Sequence, residues 1–78
     1  RIALDGGEDG LEPYRQIMEQ LKMRNNPPRL ICFEIGAEQG MDVTAIIKNA
    51  FPEAVVSIYK DLAGRNRVVV GKNLLNQD

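Results

Sequence analysis

Apolar residues recur along this chain with two different periods, and each change of period marks a change of element. Leu11, Tyr14, Ile17, Met18 and Leu21 repeat at spacings of three and four, with Glu12, Arg15, Gln16 and Glu19 between them. That spacing places the apolar set on one face of a helix, expected over about 11–24, with the charges outside. Pro13 suits the first turn, where its missing N–H does no harm, and Asp9 or Gly10 is placed to cap it. Asn25-Asn26-Pro27-Pro28 stops the helix, because proline forces its predecessor out of the α region and cannot continue the hydrogen-bond ladder.

The run Leu30-Ile31-Cys32-Phe33-Glu34-Ile35 follows. Short, apolar and bounded by turn residues, it predicts a strand over about 29–35 that is buried on both faces, as in a parallel sheet. Glu34 is the exception, read as a charge reaching the sheet rim. After a loop from Gly36 to Gly40, Val43, Ile46, Ile47, Ala50 and Phe51 return to helical spacing. They predict a second helix over about 40–51, with Asp42 near its positive end and Pro52 stopping it. Two segments rich in β-branched residues, about 54–60 and 65–71, flank Lys60-Asp61-Leu62-Ala63-Gly64-Arg65 and predict an antiparallel hairpin. Residues 73–78 read as a polar tail. At the other end, Arg1-Ile2-Ala3-Leu4 leads into a loop over 5–10, Asp5-Gly6-Gly7-Glu8-Asp9-Gly10, where glycines supply unusual backbone angles and acids bond to nearby backbone.

These elements define an α/β chain, 1–78, forming one partial domain. The strand-helix-strand unit in its middle calls for a right-handed parallel crossover, and the last strand must run antiparallel to its predecessor. Three strands and two helices would leave the apolar strand from Leu30 as a sheet edge, which normally needs a neighbouring strand or a partner to cover it. The expectation is therefore a piece of a larger α/β enzyme, able to self-associate through the Leu30–Ile35 edge.

Composition narrows the classes. Seventy-eight residues make one small domain at most, burying only about 60% of the surface its unfolded chain exposes. Ten Lys and Arg are interspersed with 11 Asp and Glu for a net charge of −1, which is no footprint for direct nucleic-acid binding. No apolar run approaches the roughly 20 residues of a membrane span, and no signal-like segment opens the chain. A cytoplasmic protein without a membrane partner is expected. Cys32 stands alone, so a disulfide framework is excluded and a buried structural thiol is the expected role.

The absence of histidine removes a Ser/His/Asp triad, a histidine metal site and a base to activate Cys32. A calcium loop beginning at Asp5 fails at its third and twelfth positions, occupied by Gly7 and Gln16. No dinucleotide fingerprint or phosphate-cradling loop occurs. Glu8 and Asp9 lie together with no evident cause for a raised pKa. Residue chemistry alone thus finds no catalytic group, no cofactor-binding group and no metal ligand here.

Three blocks point further: Ala3-Leu4-Asp5-Gly6-Gly7-Glu8-Asp9-Gly10-Leu11 with Tyr14-Arg15, Glu34-Ile35-Gly36 with Gln39-Gly40, and Lys60-Asp61-Leu62-Ala63-Gly64-Arg65 with Arg67-Val68-Val69. In this order and spacing, and over nearly the whole chain, they resemble the C-terminal part of the HemK-type protein-(glutamine-N5) methyltransferases. Members of that family are class I, Rossmann-like, S-adenosylmethionine-dependent enzymes that methylate the glutamine of the Gly-Gly-Gln motif of peptide-chain release factors. The resemblance implies that the three strands are the fifth, sixth and seventh of a seven-stranded sheet, the seventh inserted antiparallel between the other two. It also implies that the cofactor loop and an Asn-Pro-Pro-Tyr substrate grip lie upstream of this chain, leaving the fragment inactive by itself. In the family that grip aims the amide nitrogen at the cofactor methyl group, so catalysis is chiefly positioning.

Within the chain, Asp5, Gly6, Gly7, Glu8, Asp9 and Gly10 are the candidate rim of the substrate cleft, against the plainer reading of a tight turn whose acids cap the helix. Residues 61–67 are likewise a rim loop or, by their spacing, simply the hairpin connection. Two rival readings are a stand-alone interaction module and a related methyltransferase acting on amino groups of nucleic acid. Asn26-Pro27-Pro28-Arg29 imitates the catalytic motif, but it follows the glycine-rich block instead of preceding it and carries Arg29 where an aromatic belongs. It reads as a helix-to-strand turn. An Asn26→Ala change in the full-length enzyme should leave turnover nearly intact, and a loss of several hundredfold in a steady-state assay would make this segment catalytic after all.

Overall fold

The computed structural model describes residues 10–74, so the expectations for Asp5 to Asp9 and for 75–78 fall outside the described residues. In chain order the elements are α1 (Glu12–Lys22), β1 (Leu30–Glu34), α2 (Gly40–Ala50), β2 (Val55–Lys60) and β3 (Asn66–Lys72). The strands form one sheet in the order β1-β3-β2. β3 runs antiparallel to both neighbours, so β1 and β2 point the same way without pairing. This is the expected order, with the last strand inserted antiparallel between the other two, and among the described residues every strand pair is antiparallel because β3 separates the two strands that share a direction.

The register sorts side chains onto two faces. Ile31, Gly71 and Val56 lie level across the sheet, as do Phe33, Val69 and Ile58, and this face carries the helices. Val43, Ile47 and Phe51 of α2 and its C-cap are fully buried against it together with Val69. Gly71 permits the close approach: a Cβ there would lie 3.3 Å from both Ile31 and Ile47. α1 packs on α2 through Met18, and Leu11, Ile35, Ala54 and Leu74 complete the core.

The opposite face is level at Leu30, Lys72 and Val55, at Cys32, Val70 and Ser57, and at Glu34, Val68 and Tyr59. No helix of the described residues covers it. Leu30, Val55 and Tyr59 are 52%, 56% and 55% exposed. The expectation that β1 is buried on both faces is therefore corrected, and with it the buried thiol: Cys32 is exposed, since only Ile31 and Phe33 of β1 turn toward the helices.

Three local expectations also change. The N-cap of α1 is Leu11, with no side-chain cap hydrogen bond, so Gly10 does not cap the helix. Ile17 belongs to the apolar set of α1 yet is 41% exposed, because α1 rests on α2 and reaches the sheet only at its first turn. The tail begins later than its polarity suggests: Leu74 is in the core, and Asn73, at φ 63°, a conformation asparagine tolerates, donates from Nδ2 to the Glu53 carbonyl at 3.0 Å.

No helix of the described residues is long and apolar enough to cross a membrane. With one small core on one face, little stability is in reserve. Truncating a fully buried phenylalanine costs about 3–5 kcal/mol, as much as a core of this size supplies in total. Phe51→Ala should therefore abolish the cooperative thermal transition of the chain in circular dichroism. A variant melting within about 5 °C of the parent would contradict this account of the core.

Candidate functional site

β1 and β2 end at Glu34 and Lys60 on the same rim of the sheet, where α2 also begins. Open α/β sheets take their ligands outside the carboxyl ends of such strands, so this rim is the candidate site. The chain arrives there at Gly10, whose φ of 71° lies in the left-handed region that favours glycine.

A hydrogen-bonded network joins the pieces. The Tyr14 hydroxyl of α1 donates to the Glu34 carbonyl at 2.9 Å, with Gln39 Oε1 a longer second acceptor at 3.3 Å. Gln39 Oε1 also accepts from the Gly36 N–H at 2.8 Å, and Gln39 Nε2 reaches the Gly10 carbonyl at 3.5 Å. The backbone of the same residue starts α2: its N–H donates to the Gly36 carbonyl at 3.0 Å and its carbonyl accepts from Val43 at 2.9 Å. The Tyr14 ring stands edge-on to Phe33, centroids 5.2 Å apart at 75°, a favourable aromatic geometry. Burial pushes the Tyr14 hydroxyl up from its ordinary pKa, so it remains a donor at neutral pH.

The β2–β3 connection borders this network. Arg67 is the extra residue of a bulge, since Tyr59 faces Val68 while Lys60 faces Asn66, and its carbonyl accepts from the Ile35 N–H at 2.9 Å. Asp61 Oδ1 closes the loop by accepting from the Ala63 and Arg65 amides at 2.9 and 3.0 Å. Arg65 Nε lies 3.5 Å from Asp61 Oδ2, and Gly64 makes the turn at φ 84°. The Arg65 amide above all, with the Ala63 amide and the Arg67 and Arg65 cations, holds the Asp61 carboxyl below the usual range against the opposing effect of burial. Ala37, Asp61, Arg65, Asn66 and Arg67 line a small recess between this loop and the start of α2.

Of the sequence candidates, Gly10 is therefore at the rim, while Asp5, Gly6, Gly7, Glu8 and Asp9 lie outside the described residues. Asn26-Pro27-Pro28-Arg29 precedes β1 and lines a separate depression with Asn73 and Leu74. Five strand residues, about 16 Å of extended chain, separate it from the rim. Sequence reasoning singled out neither Tyr14 nor Gln39 for a contact: helical spacing marks Tyr14 as a core residue, and nothing in the spacing pairs it with Glu34. Among the described residues no group of three His, Cys, Asp or Glu is placed to hold a metal ion.

The three sequence blocks thus meet at one rim, through Gly10 and Tyr14, through Glu34 to Gly40, and through 60–67. Proteins similar to this chain are methyltransferases. The chain is 45% identical over 67 residues to a release factor glutamine methyltransferase of Bacillus anthracis, matching 86% of the chain and 24% of the relative. It is 45% identical over 71 residues to one of Clostridium acetobutylicum, matching 88% of the chain and 24% of the relative. A bifunctional methyltransferase of Rickettsia felis is 43% identical over 70 residues, 88% of the chain and 13% of the relative. The chain's likeness to the HemK-type release factor glutamine methyltransferases therefore holds across nearly its full length, and it spans about a quarter of the length of the first two of these relatives. No family model matches the chain, and no solved structure matches it with significance.

Because the Asp61 carboxyl is held below its ordinary value, its contribution to loop closure is present above that value and is lost as pH falls through the lowered one. In an NMR titration the Ala63 and Arg65 amide protons should move together with a midpoint below about 3.9, the ordinary aspartate value. A midpoint at or above that value, or two unrelated midpoints, would contradict the closure.

Proposed function

We propose that the chain forms the C-terminal part of an S-adenosylmethionine-dependent methyltransferase that methylates the side-chain nitrogen of the glutamine in the Gly-Gly-Gln motif of peptide-chain release factors. The observation that carries this reading is the convergence just described. The blocks of sequence that resemble the glutamine methyltransferases are scattered along the chain, and the described residues of each come together at the strand ends where an α/β enzyme holds its substrate.

On this reading β1, β2 and β3 are the fifth, sixth and seventh strands of a Rossmann-like sheet whose other strands lie outside the chain. Among the described residues β1 is paired on one edge only, and a fourth strand is the natural neighbour of the other. S-adenosylmethionine supplies an electrophilic methyl group for transfer to the amide nitrogen. Residues 10–74 offer it no glycine-rich loop paired with an acidic strand end, so the reading assigns its contacts, and the groups that grip the glutamine, to residues outside that span. The chain then acts by positioning. The rim from Gly10 through Gln39 to Asp61 forms a wall beside the substrate. Catalysis in such a site comes mostly from holding the nitrogen in line with the methyl group. By itself the 78-residue chain would be inactive.

The reading is tested with the longer protein in which the chain is embedded. Incubated with S-adenosylmethionine and a release factor, it should add one methyl group to the Gly-Gly-Gln peptide, located by mass spectrometry. Methylated adenine in place of methylated glutamine would favour the nucleic-acid branch. Calorimetry of the isolated chain should give no heat with S-adenosylmethionine, and micromolar binding would overturn its description as a part lacking the cofactor site.

A further inference from the structure

The Gln39 side chain occupies a position that its place at the start of α2 does not require. Its backbone alone makes the turn and the first helical bond, and its side chain makes no capping bond. Instead the amide turns back between two glycines. A Cβ on Gly36 would meet Gln39 Oε1 at 3.4 Å, and a Cβ on Gly10 would meet Gln39 Nε2 at the same distance. The Gly36 N–H, at 2.8 Å from Oε1, decides which end of the amide is the oxygen. That leaves Nε2, a donor, facing the Gly10 carbonyl at 3.5 Å. The Tyr14 hydroxyl, 3.3 Å from Oε1, adds a second donor on the oxygen side, so both ends of the amide have complementary partners.

We propose that Gln39 is a positioning residue: its amide fixes Gly10 against the carboxyl end of β1, and so sets how tightly the protein substrate is held at this rim. This rests on the function proposed above. The two ends of the side chain are also separable. Glutamate in this position keeps an oxygen for Gly36 and Tyr14 but turns the other toward the Gly10 carbonyl, replacing donor and acceptor by two acceptors.

The experiment compares the wild-type longer protein with its Gln39→Glu variant. The melting temperature and the KM for S-adenosylmethionine should be unchanged, the KM for the release factor should rise about tenfold, and the carbonyl carbon resonance of Gly10 should shift in NMR spectra. A release-factor KM within about twofold of wild type overturns the proposal. So does a fall in melting temperature with both KM values rising together, which is the result of losing a merely structural contact. If the wild-type protein methylates no release factor, the functional reading fails and the NMR measurement alone decides: a shifted Gly10 resonance supports the positioning role and an unchanged one refutes it.

Discussion

β3 has to lie between β1 and β2, and most of what this chain presents follows from that pairing. With β3 antiparallel to both neighbours, the two flanking strands share a direction, and their carboxyl ends fall on one rim. α2 can then start at that rim and cross a single face, where Val43, Ile47 and Phe51 are buried over Val69. If β1 and β2 paired directly, the hairpin loop at Asp61 and the turn at Gly36 would still exist, but Gly71 would no longer lie beneath Ile47 at the centre of the sheet. The close packing of the helix on the sheet depends on that glycine occupying the middle strand.

The candidate site is a product of the same geometry. It consists of fixed positions: a tyrosine hydroxyl on a strand-end carbonyl, an amide set between two glycines, and an aspartate that ties its own loop shut. Groups of this kind direct neighbouring segments instead of reacting. Such groups suit a site that works by orientation, as the proposed function requires.

Much of the fold was legible in the sequence because it rests on periodicity. The helical spacing of Val43, Ile46, Ile47, Ala50 and Phe51, the two prolines after Asn26 and the β-branched runs around Asp61 each name an element without knowledge of its neighbours. What periodicity cannot convey is which faces are covered. Leu30 and Cys32 read as interior residues because they are apolar, yet they lie on the face without a helix. Leu74 read as tail because its neighbours are polar, yet it fills the core. The site was legible only in outline. Gly10 and Gln39 are 29 positions apart, and no local pattern predicts that an amide and a carbonyl so far separated will meet.

Cys32 lies in the middle of the uncovered face, level with Val70 and Ser57, and this gives the chain a built-in chemical reporter. A thiol in that place alkylates freely while the face is open to water and is shielded once other residues close over it. The rate at which a thiol reagent labels Cys32 therefore measures how open this face of the sheet is to water, with no engineered probe required.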